Sequence, residues 1–191
     1  MTNKNKATVC GVGITVDEVV TDKDGKILKE YSLWTSMLNR SYSEKYQSRF
    51  PSYKGCSVSD NFKYYPYFED WCNNQKGYGI EGWELDKDIL VKGNKVYSED
   101  TCCFVPKEIN QIFTGNSKTN STLPQGVCLH KRFGKYFSTL STDKGRKYLG
   151  YFSTPEEALI VYKRAKEDYI KYLANKWKDQ IDPRVYEALV T

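Results

Sequence analysis

Histidine is almost missing from this chain: His130 is the only one in 191 residues. That excludes any active site or ion site needing two imidazoles, including a mixed cysteine–histidine zinc site. The six cysteines, Cys10, Cys56, Cys72, Cys102, Cys103 and Cys128, form no C-x-x-C pair. No structural zinc is expected, and all six read as reduced, mostly buried thiols. No apolar run approaches the roughly 18 residues of a membrane span, and the first residues lack a signal-peptide core. A cytosolic protein without a membrane partner is therefore expected. No internal repeat is found. Asp22-Lys23-Asp24-Gly25 lacks the third acidic ligand and the closing glutamate of a calcium loop, and reads as a plain turn.

Aromatic side chains are abundant. Sixteen tyrosines and four tryptophans bring the aromatic fraction to 15%, while 39% hydrophobic and 28% charged residues suit a soluble globular chain. The net charge of +5 is uneven, because fourteen Lys/Arg oppose eight Asp/Glu between Gly115 and Thr191. A basic C-terminal part suggests a polyanionic partner.

Periodicity divides the chain. Val12, Ile14 and Val16 alternate with small or polar residues, predicting a strand between Thr8 and Val20, and Lys26-Ile27-Leu28 can return beyond the turn. Tyr31 to Tyr42 reads as a helix with Trp34, Met37 and Leu38 on one face. Phe62, Tyr65, Phe68 and Trp71 form an aromatic stripe suited to a core, with Pro66 breaking or starting a helix there. In Trp83–Asn110, Leu85, Ile89 and Val91 share one strand parity, and Asp86 and Asp88 the other. Gly93-Asn94 is a hairpin-turn dipeptide, Val96-Tyr97 can begin a return strand, and Pro106 suits a first helical position.

Residues 114–122 carry nothing to bury and read as a linker. Beyond them, Gly126 to Lys131 can be a strand, with a turn at Arg132-Phe133-Gly134. Lys135 to Ser141 alternates: Tyr136, Ser138 and Leu140 lie on one face, Lys135, Phe137, Thr139 and Ser141 on the other. Asp143-Lys144-Gly145 turns the chain into a third strand over Arg146 to Gly150. Thr154, Pro155 and Glu157 spell a capping box, and Ala158, Tyr162, Ala165, Tyr169 and Leu173 repeat at helical spacing. Asp182-Pro183 opens a last helix bearing Val185, Tyr186, Leu189 and Val190, apolar enough to dock on the body or a partner.

The strand-turn-strand-helix pattern at 83–113 resembles the ββα metal finger of HNH endonucleases, in particular the phage form running Leu-Asp-Lys/Arg, Gly, Tyr-Ser-Pro-Glu, Asn-Cys. Trp34, Met37 and Arg40-Ser41-Tyr42 resemble the Trp-x-x-Met-x-x-Arg-Cys opening of the same proteins. The resemblance implies an ion and a base acting on a phosphodiester. Asp86 matches the family's aspartate, Lys87 stands where its histidine belongs, and Thr101 where its loop asparagine belongs. Asn110 is the nearest match to its helix ligand. By that carry-over the catalytic candidates are Lys87, Asp86 and Thr101, and Mg²⁺ would be held by Asp86 and Asn110. A lysine base would need depression from about 10.4 to near neutrality, about 4 kcal/mol of destabilisation of its charged form. The alternative is a module kept as a scaffold, with Lys87 paired to acids or to DNA phosphate.

Gly126-Val127, Gly134-Lys135, Leu149-Gly150-Tyr151-Phe152 and Thr154-Pro155-Glu156-Glu157-Ala158, ending in Tyr162, resemble the Apetala-two DNA-binding domain of plant ethylene-response factors. In that family the exposed sheet face enters the major groove. The matching positions are Lys135, Phe137, Thr139, Ser141, Arg146 and Tyr148, with Lys131 and Arg132 at the adjoining turn. Phe137 and Tyr148 stand near tryptophan positions of the family, and Thr139 and Ser141 replace longer charged side chains.

The expected fold class is α+β: a degenerate ββα-metal, HNH-like domain, then a three-stranded antiparallel sheet packed on one helix. The expected divisions are an HNH-like nuclease-related domain at 1–113, a linker at 114–122, an Apetala-two-like domain at 123–175 and a C-terminal helical extension at 176–191. The resemblances together imply a phage DNA-binding protein of homing-endonuclease type, acting in the cytoplasm of the infected bacterial host. Its partner would be double-stranded DNA, bound site-specifically, with Mg²⁺-dependent phosphodiester cleavage by the first domain. The alternative keeps that module silent, in a DNA-binding regulator or an inhibitor of a host protein.

Overall fold

A computed structural model describes residues 6–16, 22–113 and 123–191. The chain is α+β and clusters into two compact units, Met1–Val105 and Pro106–Thr191. The division falls ahead of the expected linker at 114–122, which lies outside the described residues.

The N-terminal unit opens with two short hairpins. β1 (Lys6–Val9) pairs with β2 (Gly13–Thr15), and β3 (Asp22–Lys23) with β4 (Lys26–Ile27). The single strand expected from Thr8 is therefore two, because Cys10 and Gly11 turn the chain at φ 54° and 74°; residues 17–21 lie outside the described residues. Asp24 and Gly25 turn the second hairpin in the same way.

α1 (Lys29–Tyr42) and α2 (Glu44–Arg49) follow, joined at Ser43, whose hydroxyl accepts from Tyr46 N. A 3-10 turn (Pro51–Tyr53) leads to β5 (Ser57–Val58), α3 (Asp60–Lys63) and α4 (Tyr65–Asn73). Pro66 lies in the first turn of α4, where its missing N–H costs nothing. The core is aromatic: Trp34, Tyr65, Phe62, Phe68 and Phe104 are fully buried, and Trp71 nearly so. Phe62 meets Trp71 at 4.8 Å and Phe68 at 5.1 Å, edge to face. The stripe at 62–71 is thus core.

β6 (Trp83–Asp86), β7 (Val96–Tyr97) and β8 (Cys103–Pro106) complete this part. The expected Gly93-Asn94 hairpin between β6 and β7 is not formed. β7 pairs in parallel with β5, and β6 pairs with β8. The first strand stops at Asp86 because its Oδ1 accepts the N–H groups of Asp88 and Ile89, both at 2.7 Å, and caps a turn. Pro106 is the last residue of β8 rather than the first of a helix.

In the C-terminal unit, α5 (Lys107–Phe113) precedes β9 (Val127–His130), β10 (Lys135–Thr142) and β11 (Gly145–Phe152). These three strands form an antiparallel sheet in the order β11-β10-β9. α6 (Pro155–Trp177) packs on one face of the sheet. Its capping box is present: Thr154 Oγ1 accepts from Glu157 N, and Glu157 Oε2 accepts from Thr154 N. α7 (Pro183–Val190), capped by Asp182, folds back on α6 with Val185 and Leu189 buried. Glu108 of α5 accepts from Lys176 Nζ at 2.8 Å and from Trp177 Nε1, holding α5 to the far end of α6.

Ser138 is fully buried under α6, and its hydroxyl has no partner among the described residues. Burying an unpaired hydroxyl costs about 1–3 kcal/mol in mutational data. Ser138→Ala should therefore raise the unfolding free energy by about 1 kcal/mol in a denaturant titration; a loss would mean that the hydroxyl is bonded.

Candidate functional site

The nuclease-like residues do not assemble a free base. Lys87 is buried, and its ammonium pairs with Asp88, donates to Asn94 O at 3.0 Å and sits 5.5 Å from the centre of the Tyr97 ring. Asn94 stitches the loop in return, donating to Lys87 O at 2.7 Å and to Val96 O, while its Oδ1 accepts from Val96 N. Thr101 is likewise committed: its hydroxyl donates to Val96 O at 2.7 Å and accepts from Ser98 N. These bonds hold the segment on either side of β7.

Asp86 is half-buried, and one carboxylate oxygen takes the two turn N–H groups. Burial pushes its carboxyl above the usual range, and the N–H groups of Ile89 and Asp88 oppose that shift. Asn110 belongs to the C-terminal unit. Mg²⁺ favours several oxygen ligands in octahedral array. Asp86 offers one partly committed carboxylate beside the Lys87 ammonium, a donor set that does not fit the ion. Among the described residues no group of three or more His, Cys, Asp or Glu could hold a metal.

The Asp86 shift has a consequence for stability. A carboxyl raised on folding contributes stability that is complete below its unfolded value, near 3.8, and lost as pH rises through the folded value. At neutral pH the ionised group is therefore a burden, while its role as an acceptor remains useful. Asp86→Asn keeps a carbonyl for the two N–H groups and should be at least as stable as the parent at pH 7, the gap closing toward pH 4. Asp86→Ala loses the acceptor and should cost about 1–2 kcal/mol at both pH values. Denaturant unfolding at the two pH values separates these; a destabilised Asn variant at pH 7 would show that the charge itself is needed.

Glu99 follows the opposite pattern. Burial pushes it up, yet its own backbone N–H and donors from Asn61, Ser59 and Tyr67 hold it below the usual carboxylate range. Ser59 Oγ donates at 3.0 Å and Tyr67 OH at 3.3 Å. The carboxylate anchors the loop before β8 to α3 and α4.

The C-terminal sheet gathers its candidates on one surface. Cross-strand partners share a face, and β10 aligns Phe137 with Tyr151, Thr139 with Tyr148 and Ser141 with Arg146. On the other edge Lys135 lies opposite His130, and Phe137 opposite Cys128. The buried Ser138 and Leu140 fall between them on the side that α6 covers. Lys135, Phe137, Thr139, Ser141, Arg146 and Tyr148 therefore face away from α6, with Lys131 and Arg132 exposed at the β9–β10 turn.

Strand parity alone misses Tyr151. The register shifts between Ser138 and Thr139, so β11 carries an extra residue at Leu149 and resumes its alternation one place later. Tyr151 thus points out beside Tyr148, at 5.5 Å, although the two are three positions apart. Gly150, at φ 126°, is the sequence signal, since a glycine inside a strand often marks a bulge. His130 and Phe133 join the same surface: their rings stack at 4.5 Å, and His130 lies 5.6 Å from Tyr151. Phe133, Tyr148 and Tyr151 are each about half exposed or more, at 60%, 51% and 49%.

Among the described residues, the three strands place no carboxylate on this face. Asp143, at the β10–β11 turn, is drawn to the helix side, where it meets Lys176 Nζ at 3.3 Å and Tyr169 OH at 3.2 Å. Cations among flat, exposed rings, with no carboxylate to repel an anion, suit a polyanion that also offers planar groups. No helix among the described residues is long and apolar enough to cross a membrane. No family model, curated protein or solved structure matches the chain.

Proposed function

We propose that this protein binds double-stranded DNA through the open face of its C-terminal sheet and that its nuclease-like module is a silent scaffold. One observation carries the first part: an outward face with Lys135 and Arg146 set among exposed rings, and no acid on it. A two-stranded ribbon fits the major groove, and β10 with β11 supplies one eight residues long on each strand. The second part rests on commitment of the side chains. Lys87 is buried in an ion pair, and Asp86 and Thr101 hold turns. The resemblance to phage HNH and Apetala-two proteins agrees with a regulator or inhibitor acting in an infected bacterium.

Two measurements test this reading. Arg146→Ala should weaken duplex binding at least tenfold, about 1.4 kcal/mol. Lys178→Ala, at the end of α6, should change little. If Arg146 contacts phosphate, its loss also lowers the salt slope by about 1. Equal affinity of parent and Arg146→Ala over a salt titration would remove this face from the role. Supercoiled and linear DNA incubated with Mg²⁺ or Mn²⁺ should remain intact. Ion-dependent cutting that Asp86→Ala abolishes would restore the endonuclease reading.

A further inference from the structure

Resting on that reading, the outward side chains also limit which base edges the sheet can recognise. In the major groove, adenine is read by a carboxamide, cytosine by a carboxylate acceptor, guanine by Arg or Lys, and thymine by apolar contact with its 5-methyl group. The three strands present no Asn, Gln, Asp or Glu outward. Adenine and cytosine therefore have no dedicated reader on this face. Guanine is left to Arg146 and Lys135.

The groups suited to a methyl are placed together. Phe137 and Thr139 are outward neighbours on β10, faced across the ladder by Tyr151 and Tyr148. Thr139 and Ser141 are short, so on β10 no long side chain overhangs Phe137 from the hairpin side. The outward pairs change along the ribbon, from the polar Ser141 and Arg146 near the hairpin tip to the aromatic Phe137 and Tyr151. At about 3.4 Å per residue those pairs are roughly 14 Å apart, or about four base steps.

We infer that the sheet recognises the 5-methyl groups of thymine in duplex DNA, through Phe137 and Thr139, within about four base pairs of the position that Arg146 contacts. The methyl packs against the outward edges of these rings, and a groove without it leaves them against water.

The test uses the full chain and a random-sequence duplex library enriched by binding to it. The enriched duplex is then made again with uracil in place of thymine, which removes only the methyl. The uracil duplex should bind the parent protein at least fivefold more weakly. Phe137→Ala should bind the thymine and uracil forms alike, whereas Arg146→Ala should keep the difference while losing affinity for both. Equal binding of the two duplexes by the parent protein would overturn the inference and leave the DNA-binding reading standing. Absence of any enriched duplex, or tighter binding to the separated strands, would overturn both.

Discussion

Gly126→Ala is expected to destabilise the C-terminal unit by about 3 kcal/mol or more, the sum of a backbone and a packing term. Gly126 sits at φ 79°, where an L-residue adds about 1–2 kcal/mol of strain. A Cβ there would stand 2.2 Å from two ring carbons of Tyr162, a side chain that is itself buried. The ring cannot swing away freely, because α6 is fixed on the sheet at that point. Gly126 also accepts from Thr139 N at 2.9 Å, so displacing its backbone disturbs the central strand. Overpacking of this kind costs about 1–3 kcal/mol. Denaturant unfolding measures the loss. Combining Gly126→Ala with Tyr162→Ala should restore part of it, since the pair shares one contact and cannot be additive. Strictly additive losses would place the strain elsewhere.

That contact shows which features the sequence made legible. Gly126 and Tyr162 were readable as a strand start and a helix repeat, and the capping box at Thr154 located the first turn of α6 without any tertiary knowledge. Trp34, Met37 and Leu38 likewise marked the buried face of α1. Each rests on local spacing or on a cap, where a few neighbouring residues decide the outcome. The region from Asp86 to Thr101 does not work that way. Its strand pairs with β5, distant in the sequence, and its loop is held by the side chains of Asp86, Asn94 and Thr101 instead of a ladder. Alternation of Leu85, Ile89 and Val91 suggested one long strand, yet the turn capped by Asp86 interrupts it, and Val91 is 49% exposed.

The candidate face was legible except where a single residue changed the phase. Parity placed Arg146 and Tyr148 outward, and the register agrees. Tyr151 lay beyond the strand expected over Arg146 to Gly150, and counting by twos cannot detect the extra residue at Leu149 that turns it outward. Lys87 shares strand parity with Leu85 and Ile89, so the side it faces was legible, but its partners were not. Its burial follows from the Asn94 carbonyl and the Tyr97 ring, both supplied by later parts of the loop.

Trp34→Ala should remove about 3–5 kcal/mol from the N-terminal unit. Trp34 is fully buried and lies 5.4 Å from Tyr65 and 5.7 Å from Tyr31, ring to ring. Its indole N–H donates to Phe62 O at 2.7 Å, so truncation leaves a buried carbonyl without its donor as well as a cavity. Gly13 lies so close that a Cβ on it would come within 2.8 Å of the indole, and β2 loses that support too. Domains are commonly stable by only about 5–15 kcal/mol, so much of this unit's margin would go. Trp34→Phe keeps most of the ring volume but not the donor, and should lose about 1–3 kcal/mol. If the N-terminal unit is a scaffold and the C-terminal sheet carries DNA binding, both variants should bind duplex within about threefold of the parent wherever they remain soluble, a difference under about 0.7 kcal/mol. Unfolding curves and duplex titrations on the same preparations separate the two effects. A hundredfold loss of DNA affinity by Trp34→Phe in a folded protein would assign part of the binding surface to the N-terminal unit.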